Sequence, residues 1–581
     1  MDGPRLAGAL EALRGTVARV HLGLAVADAE SARRSQSELV GQVDDYLLPR
    51  LRQLDAPMLV AVGGSTGAGK STLVNTLVGA EVTKAGWLRP TTRAPVLVCH
   101  PDDVGWFETD RILPGLSRTT GQATPETSRD SHGGEQGIRT LRLVPHHSIP
   151  PGLALLDPPD IDSVVAENRD LAGQLLAAAD LWIFVTTAAR YADAVPWDLL
   201  HTAARRTTAL AVVLNRVPPE GVGEIGDHLR SMLAAEKLGE AEVFAIPEVE
   251  LDAERIPDPQ IAPLRAWLDG LAADAEARDT VIRTTLTGAL TSLHDRVTVL
   301  AEHLDEQLGS ADTLRGQAVE RYSSAVDDVD EGVRSGTVLR GEVLARWQEF
   351  VGTGQFTRNL EARMGQLRDR VTSFFTGRPP AAEAVGQAVE GNLHALVRAA
   401  SDRAAEQTTE LWRSHPAGRT LIRDDLRRSS AEFGQRLEAE IRAWQQRVLD
   451  LVRDEGGHRR SIARLTSFGV NGAGLVLMLA VFAQTAGLSG LEVVVAGGTS
   501  AVSQKVLEAI FGDAAVRTLA ARARDDLLST VETLLEDELQ RFDALVDDAA
   551  PTADQAAALR ETLAEFEGAL GSYLRQPGLV R

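Results

Sequence analysis

Apolar residues along this chain follow two rhythms. From Pro57 to about Gly270 they come in short continuous runs: Met58–Val62, Pro95–Cys99, Thr140–Val144, Leu153–Leu156, Leu181–Val185, Leu210–Leu214 and Val243–Ile246. Runs of that length without alternation predict strands buried on both faces, and the helical stretches between them predict a helix-covered, largely parallel sheet. Residues 119–137, rich in Gly, Ser and Thr with little apolar content, read as a mobile surface loop. Elsewhere the apolar residues return every three or four positions, as on one face of a helix. Leu6, Leu10, Leu13, Val17 and Val20 make such a stripe, and a second runs between Leu39 and Leu54. Leu286, Leu290, Leu293, Val297, Leu300 and Leu304 form a heptad-like seam.

Between Ala272 and Gly457 there is almost no strand signal. Helical seams recur before Arg378-Pro379-Pro380, from Glu383 to Trp412 and from about Leu426 to Arg453. They return from Ala514 to Val546, where Val531, Leu534, Leu535, Leu539, Phe542 and Leu545 face inward, and from Thr552 to Leu574. The expected order is therefore N-terminal helices over 1–54, packing with a stalk, and an α/β domain over 55–271. A helical stalk or bundle follows over 272–466, with returning stalk helices over 513–581.

The segment between those helices differs from both rhythms. Ser467 to Leu491 carries no charge, and apart from Glu492 the uncharged character continues to Gln504. Phe468–Ala486 has about the length that spans a hydrocarbon core, although its glycines and Asn471 weaken it. Arg459, Arg460 and Arg464 precede the segment and Lys505 follows. Basic residues at both ends suit a hairpin, 467–512, that enters a membrane from the cytoplasmic side. The alternative is a helix pair buried at the centre of the bundle.

Charge narrows the partners. A formal net charge of −22 argues against a general nucleic-acid binder and leaves room for local basic patches. The single cysteine, Cys99, excludes an internal disulfide framework, fits a reducing compartment and reads as a small buried strand residue. The N-terminus has no basic stretch followed by an apolar region of secretory type, so a cytoplasmic protein is expected.

The chemistry concentrates where the first apolar run ends. Gly64-Ser65-Thr66-Gly67-Ala68-Gly69-Lys70-Ser71 follows the Met58–Val62 run and opens a helical segment, Ser71 to Val78. Strand, glycine-rich loop and helix form the context in which this spacing means a phosphate-binding loop. Its glycines let backbone N–H groups turn inward onto phosphate oxygens. Lys70 adds a point charge for the β- and γ-phosphates, the Ser71 hydroxyl is placed to hold Mg²⁺, and the helix presents its positive end.

Three later stretches fit the same chemistry. Pro90-Thr91-Thr92-Arg93 stands just before a strand, where a threonine hydroxyl can reach Mg²⁺ and its N–H the γ-phosphate. Leu155-Leu156-Asp157-Pro158-Pro159-Asp160 ends a strand in Asp157, suited to hold Mg²⁺ through water. Val213-Leu214-Asn215-Arg216-Val217-Pro218 ends another strand where a base-reading loop belongs.

Together these motifs, and the order of the whole chain, resemble the dynamin-like family of large GTPases, particularly its bacterial members. The resemblance implies a P-loop GTPase domain with helices on both faces of a mostly parallel sheet, plus a long all-α stalk ending in an apolar hairpin tip. It implies GTP and Mg²⁺ as ligands and catalytic roles for Lys70, Thr92 and Asp157. Nucleotide contacts fall to Gly64, Ser65, Thr66, Gly67, Ala68, Gly69, Lys70, Ser71, Thr72, Asn215 and Arg216, and metal contacts to Ser71, Thr91, Thr92 and Asp157. It further implies membrane lipid as a partner of 467–512, and homo- or hetero-oligomers through the GTPase domain and stalk.

The chain departs from that family's pattern in three places. Asp160 occupies the glycine position of Asp-x-x-Gly, where a carboxylate repels a γ-phosphate unless it turns away. Pro218 replaces the aspartate that reads guanine, leaving adenine open as the base. Thr66 and Gly67 stand where dynamins carry a glutamine-serine pair. A slow switch or a scaffold that docks a protein partner is therefore the alternative to a working hydrolase. Arg190, in Thr186–Asp193 after the Leu181–Val185 run, reads either as a charge-stabilising arginine or as a surface pair with Asp193. His146-His147 lack ligand spacing, and Trp182, Trp197 and Trp412 read as packing anchors.

Overall fold

The computed structural model describes residues 3–83, 94–109, 112–113, 115–120, 140–159, 166–193, 197, 200–201, 209–236, 238–339, 341–343, 345–346, 380–456, 475, 477–479, 481–482 and 514–575. They form two compact units. One comprises Met1–Leu22, Asp28–Asp305 and Pro551–Arg581, the other Gly23–Ala27 and Glu306–Ala550.

The first unit is built on eight strands: β1 (Met58–Gly64), β2 (Val96–Cys99), β3 (Ser117–Thr120), β4 (Thr140–Pro145), β5 (Leu153–Asp157), β6 (Leu181–Thr187), β7 (Ala209–Val217) and β8 (Glu242–Pro247). Their order across the sheet is β3-β4-β2-β5-β1-β6-β7-β8. Every neighbouring pair is parallel except β2 and β5. All seven apolar runs are strands. β1 and β6 are buried at every position, as continuous apolar runs between two helical layers require.

Successive residues of β1 feed opposite cores. Met58, Val60 and Val62 pack with Leu73 and Val74 of the Lys70–Val78 helix and Ile261 and Leu264 of the Asp258–Ala273 helix. Leu59 and Ala61 face the other layer, with Leu171 and Leu175 of the Ala166–Ala177 helix and Leu229 and Leu233 of the Val222–Ala235 helix. Cys99 is buried in that layer, and burial pushes its thiol up to about 12, so it packs as an inert apolar group. Trp182 is buried there too, its indole N–H on Leu176 O at 2.6 Å, with Trp197 packed against the same layer.

The edge strand β3 is largely exposed and has no apolar run. It corrects the reading of 119–137 as loop: Thr119 and Thr120 pair with Arg142 and Leu143 of β4, while 121–137 lie outside the described residues.

The Gly3–Arg19 helix buries Leu6, Leu10, Leu13 and Val17, and packs on the Ala553–Leu574 helix through Leu559, Leu563, Phe566 and Leu570. That second helix starts with Thr552 and Gln555 capping one another, which satisfies two otherwise orphaned backbone donors. The seam of Leu286 to Leu304 lies buried on a long helix, Ala275–Arg334. Its Arg296 bonds Gln42 and Glu38, and its Asp305 bonds Arg560. The helical segments near both chain ends thus belong to the same unit as the sheet.

The second unit contains the rest of that long helix, followed by the helices Pro380–Ser414, Phe433–Gly456 and Ala514–Ala549. Trp412 and Trp444 are its largest fully buried side chains. Each indole N–H finds a helix carbonyl, Leu314 O at 3.1 Å and Ala523 O at 2.8 Å, as buried tryptophans require. Of the uncharged segment, Leu475, Leu477–Leu479, Val481 and Phe482 are described. They are helical and sit inside this unit's core, with Phe482 edge-on to Trp444. Among the described residues no helix is long and apolar enough to cross a membrane.

Candidate nucleotide-binding site

The site forms where β1, β5, β6 and β7 end. Gly64 closes β1 at φ +146°, and a Cβ there would lie 2.1 Å from the Val185 carbonyl oxygen on β6. Only glycine lets the loop start so close to the neighbouring strand. Gly67 and Gly69 also hold positive φ, at 79° and 97°. Gly69 caps the helix that begins with Lys70, and Leu73 N donates to its carbonyl at 2.9 Å.

Lys70 is buried, and its ammonium donates to Gly64 O at 2.8 Å and Ser65 O at 3.1 Å. Those bonds hold the charge over the loop it is to serve. The loop closes on itself through Ala68 N and Ser65 O at 3.1 Å. Thr72 is half-buried in the first helical turn, and its carbonyl accepts from Thr76.

Ser71 and Asp157, separated by 86 positions in sequence, meet here. Ser71 Oγ donates to Asp157 Oδ2 at 3.2 Å. A hydroxyl and a carboxylate side by side, both hard oxygen donors, fit Mg²⁺, which keeps several waters and shares phosphate oxygens. Among the described residues no group of three or more His, Cys, Asp or Glu is placed to hold a metal ion.

From β7, Asn215 turns its side chain inward. Its Nδ2 donates to Ala68 O at 3.0 Å, and its Oδ1 accepts the N–H of Arg216 at 2.9 Å. The β7–β8 register shifts between Leu214 and Val217, and Arg216 adopts φ 53°. This bulge points Arg216 outward while Asn215 braces the loop. Pro218 follows directly, so no side-chain acceptor occupies the position of a guanine-reading carboxylate.

Of the residues expected at the site, Gly64 to Thr72, Asp157, Asn215 and Arg216 gather at this sheet edge. Thr91, Thr92 and Asp160 lie outside the described residues. Sequence reasoning missed Asn75. It is buried in the Lys70–Val78 helix, where its Oδ1 accepts Val82 N and Thr83 N, each at 2.9 Å, and its Nδ2 donates to Thr83 O at 2.7 Å. It thereby fixes the chain just before 84–93. An asparagine inside a short helix, where it is disfavoured, was the available signal. Arg190 forms the expected pair with Asp193, bonding Oδ2 at 3.2 Å, and its other edge lies 3.5 Å from Thr66 O.

Strand, glycine loop, helix and hydroxyl–carboxylate pair define a P-loop domain of GTPase fold. Residues 60–217 match the sequence profile of the Dynamin family. A comparison with curated proteins returns no match. Among solved structures, the chain is similar at 12% identity and TM-score 0.38 to an oligomerised bacterial dynamin pair described as sensing and tethering membranes, covering 99% of this chain and 95% of that one. It is similar at 12% identity and TM-score 0.24 to LeoA, a bacterial dynamin GTPase from ETEC, covering 99% and 97%. Toc33 from Arabidopsis thaliana, in complex with Mg²⁺ and GMPPNP, shares 16% identity at TM-score 0.23 over 42% of this chain and 93% of that one.

Proposed function

We propose that the protein binds and hydrolyses GTP with Mg²⁺ and uses the cycle to drive a conformational change at a membrane. The observation that carries this reading is the pairing of Ser71 with Asp157 beside a buried Lys70 on a formed glycine loop. In the reaction a water oxygen bonds the γ-phosphorus, the bond to the bridging oxygen breaks, and its electron pair leaves on the β-phosphate. Backbone N–H groups of 64–70 orient the phosphates, and Lys70 passes from its loop carbonyls to their oxygens. Bound Mg²⁺, held through Ser71, Thr91 or Thr92, and water on Asp157, supplies charge neutralisation. Thr92 also orders its own segment against the γ-phosphate, and Asn215 and Arg216 frame the base.

We assign lipid contact to 467–512, at the cytoplasmic face of the cell membrane, and self- or hetero-association to the GTPase domain and stalk. Because Leu475, Met478 and Phe482 are buried in the bundle core, lipid contact requires this segment to leave it.

The test is turnover of GTP against ATP, with and without liposomes, beside Lys70→Ala. The expected result is GTP-selective turnover that rises on lipid and falls at least a hundredfold in the variant. A second reading rests on Pro218: a nucleotide-held scaffold that docks a protein partner at the membrane. Tight nucleotide binding without turnover under every condition would select it.

A further inference from the structure

The P-loop of this chain supplies one cationic side chain, Lys70, and offers Thr66 and Gly67 at its outer bend. Neither of those residues brings a charged side chain to the bridging oxygen as the γ-phosphate leaves. A second cation stands at that bend. Arg190 lies in the turn after β6, and its Nη1 is 3.5 Å from the Thr66 carbonyl oxygen. Its Nε donates to Asp193 Oδ2 at 3.2 Å, so the guanidinium is gripped along both edges.

The turn that carries it is fixed at several points. Arg190 N and Tyr191 N both donate to Thr187 O at 2.9 Å, and Asp193 N donates to Arg190 O at 3.0 Å. Ala188 N donates to Asn215 O at 3.1 Å, joining the turn to the end of β7. Tyr191 OH meets His228 Nδ1 at 2.9 Å on the Val222–Ala235 helix. Stability alone does not account for this placement, since an exposed Arg–Asp pair contributes about 0–1 kcal/mol.

We propose that Arg190 is a catalytic arginine supplied from within the same chain, stabilising the charge that develops on the leaving β-phosphate oxygen. This rests on the reading above that the site hydrolyses a nucleoside triphosphate. Water forms its bond to phosphorus and ends with its proton on the released phosphate. Arg190 exchanges no proton and acts by charge alone. Asp193 is a positioning residue that orients the Nε edge and leaves the Nη edge at the loop.

The experiment compares Arg190→Ala, Arg190→Lys, Asp193→Ala and Lys70→Ala in the full chain. It reads kcat and KM for GTP, affinity for GDP, and affinity for GDP with aluminium fluoride. A fluoride complex that forms on GDP reports the transition-state charge separately from ground-state binding. Arginines in this role are worth about a thousandfold or more in kcat. Arg190→Ala is therefore expected to lower kcat at least a hundredfold and to lose aluminium fluoride binding, with GDP affinity within threefold. Arg190→Lys is expected to recover part of kcat, and Asp193→Ala to cost less than tenfold with KM unchanged.

Turnover that Lys70→Ala abolishes but Arg190→Ala leaves within threefold overturns the inference and leaves the proposed hydrolysis standing. Wild-type protein without turnover overturns both. Rescue of Arg190→Ala by added Lys70→Ala protein overturns the placement within one chain, because the arginine would then come from a neighbour.

Discussion

The two edges of the sheet tie the same three strands together by opposite means. At the nucleotide edge, β1, β6 and β7 are joined by neutral groups: Asn215 reaches Ala68 O, Ala188 N reaches Asn215 O, and Gly64 lies against Val185. At the other edge the tie is charged. Arg50 is buried and donates to Asp180 Oδ2, to Ala56 O and to Pro57 O. Asp180 Oδ2 also accepts Leu59 N of β1 at 2.8 Å, and its carbonyl accepts Thr285 Oγ1 at 2.9 Å. That hydroxyl accepts Ala209 N of β7 at 3.1 Å. Charge at this edge is neutralised internally by the buried Arg50–Asp180 pair. At the nucleotide edge the Lys70 ammonium donates to the carbonyls of Gly64 and Ser65, neutral acceptors that a phosphate outcompetes. The contrast fits the proposal that the nucleotide edge is the one that receives an anion.

The largest expected effect breaks the closed edge. Asp180→Ala would leave the Arg50 guanidinium buried without its counter-charge. It should lower stability by about 3–5 kcal/mol, the usual cost of splitting a buried pair. Chemical denaturation would measure it, and a loss below about 1 kcal/mol would mean water already reaches that edge. Replacing both partners, Arg50→Met with Asp180→Leu, should cost much less than the single change, because no charge is stranded.

The open edge should fail through shape instead. Gly64→Ala puts a Cβ 2.1 Å from a backbone oxygen at a φ of +146°. Neither the strand nor the carbonyl can retreat like a flexible side chain. The expected cost is about 3 kcal/mol in stability, with GTP affinity falling more than tenfold. Intact affinity in a destabilised Gly64→Ala protein would show that the loop does not shape the phosphate site.

How much of this was legible in sequence follows from the same contrast. The open edge could be read because its demands are local: glycines at fixed spacing, then lysine and serine, between an apolar run and a helix. The seven strands of the apolar runs were legible for the same reason: β1, β2, β5 and β6 are buried at every position, and the others keep enough apolar residues to read as runs. β3 was not, because an exposed edge strand of Ser, Arg and Thr looks like a loop. The closed edge was invisible, since Arg50 and Asp180 are 130 positions apart and each alone reads as surface charge. The approach of Arg190 to Thr66 is equally non-local, whereas Asn75 binds Val82 and Thr83 close by in sequence and left only its place inside a helix as a signal. The segment 467–512 was ambiguous for a different reason: an apolar run has the same composition whether lipid or a helix bundle covers it. Its six described residues lie under the bundle.

A third change sharpens the comparison by pH. The turn Val43–Leu47 is a widened helical turn that brings Asp45 against the Ala166–Ala177 helix, where Gln174 Nε2 donates to its Oδ2 at 2.6 Å. Burial raises the Asp45 carboxyl to about 6, and neighbouring Asp44 adds to the rise. The Gln174 bond and the more distant Arg118 oppose it without cancelling it, and Arg14 is engaged with Asp44. A carboxyl that titrates near 6 when folded and near 4 when unfolded holds its proton more tightly in the folded state. Stability is therefore lost as pH rises through that window, and the loss is complete above about pH 6. Asp45→Asn keeps an acceptor for Gln174 and removes the charge. It should stabilise the protein by about 2 kcal/mol at pH 7.5, with the gain shrinking below pH 6 and vanishing near pH 4. Denaturation midpoints of both proteins across that range decide it. A gain that does not change with pH would mean that packing, rather than a buried charge, sets the cost. Asp45 would then act as a neutral tie between its own turn and the Ala166–Ala177 helix, leaving the Arg50–Asp180 pair as the charged one.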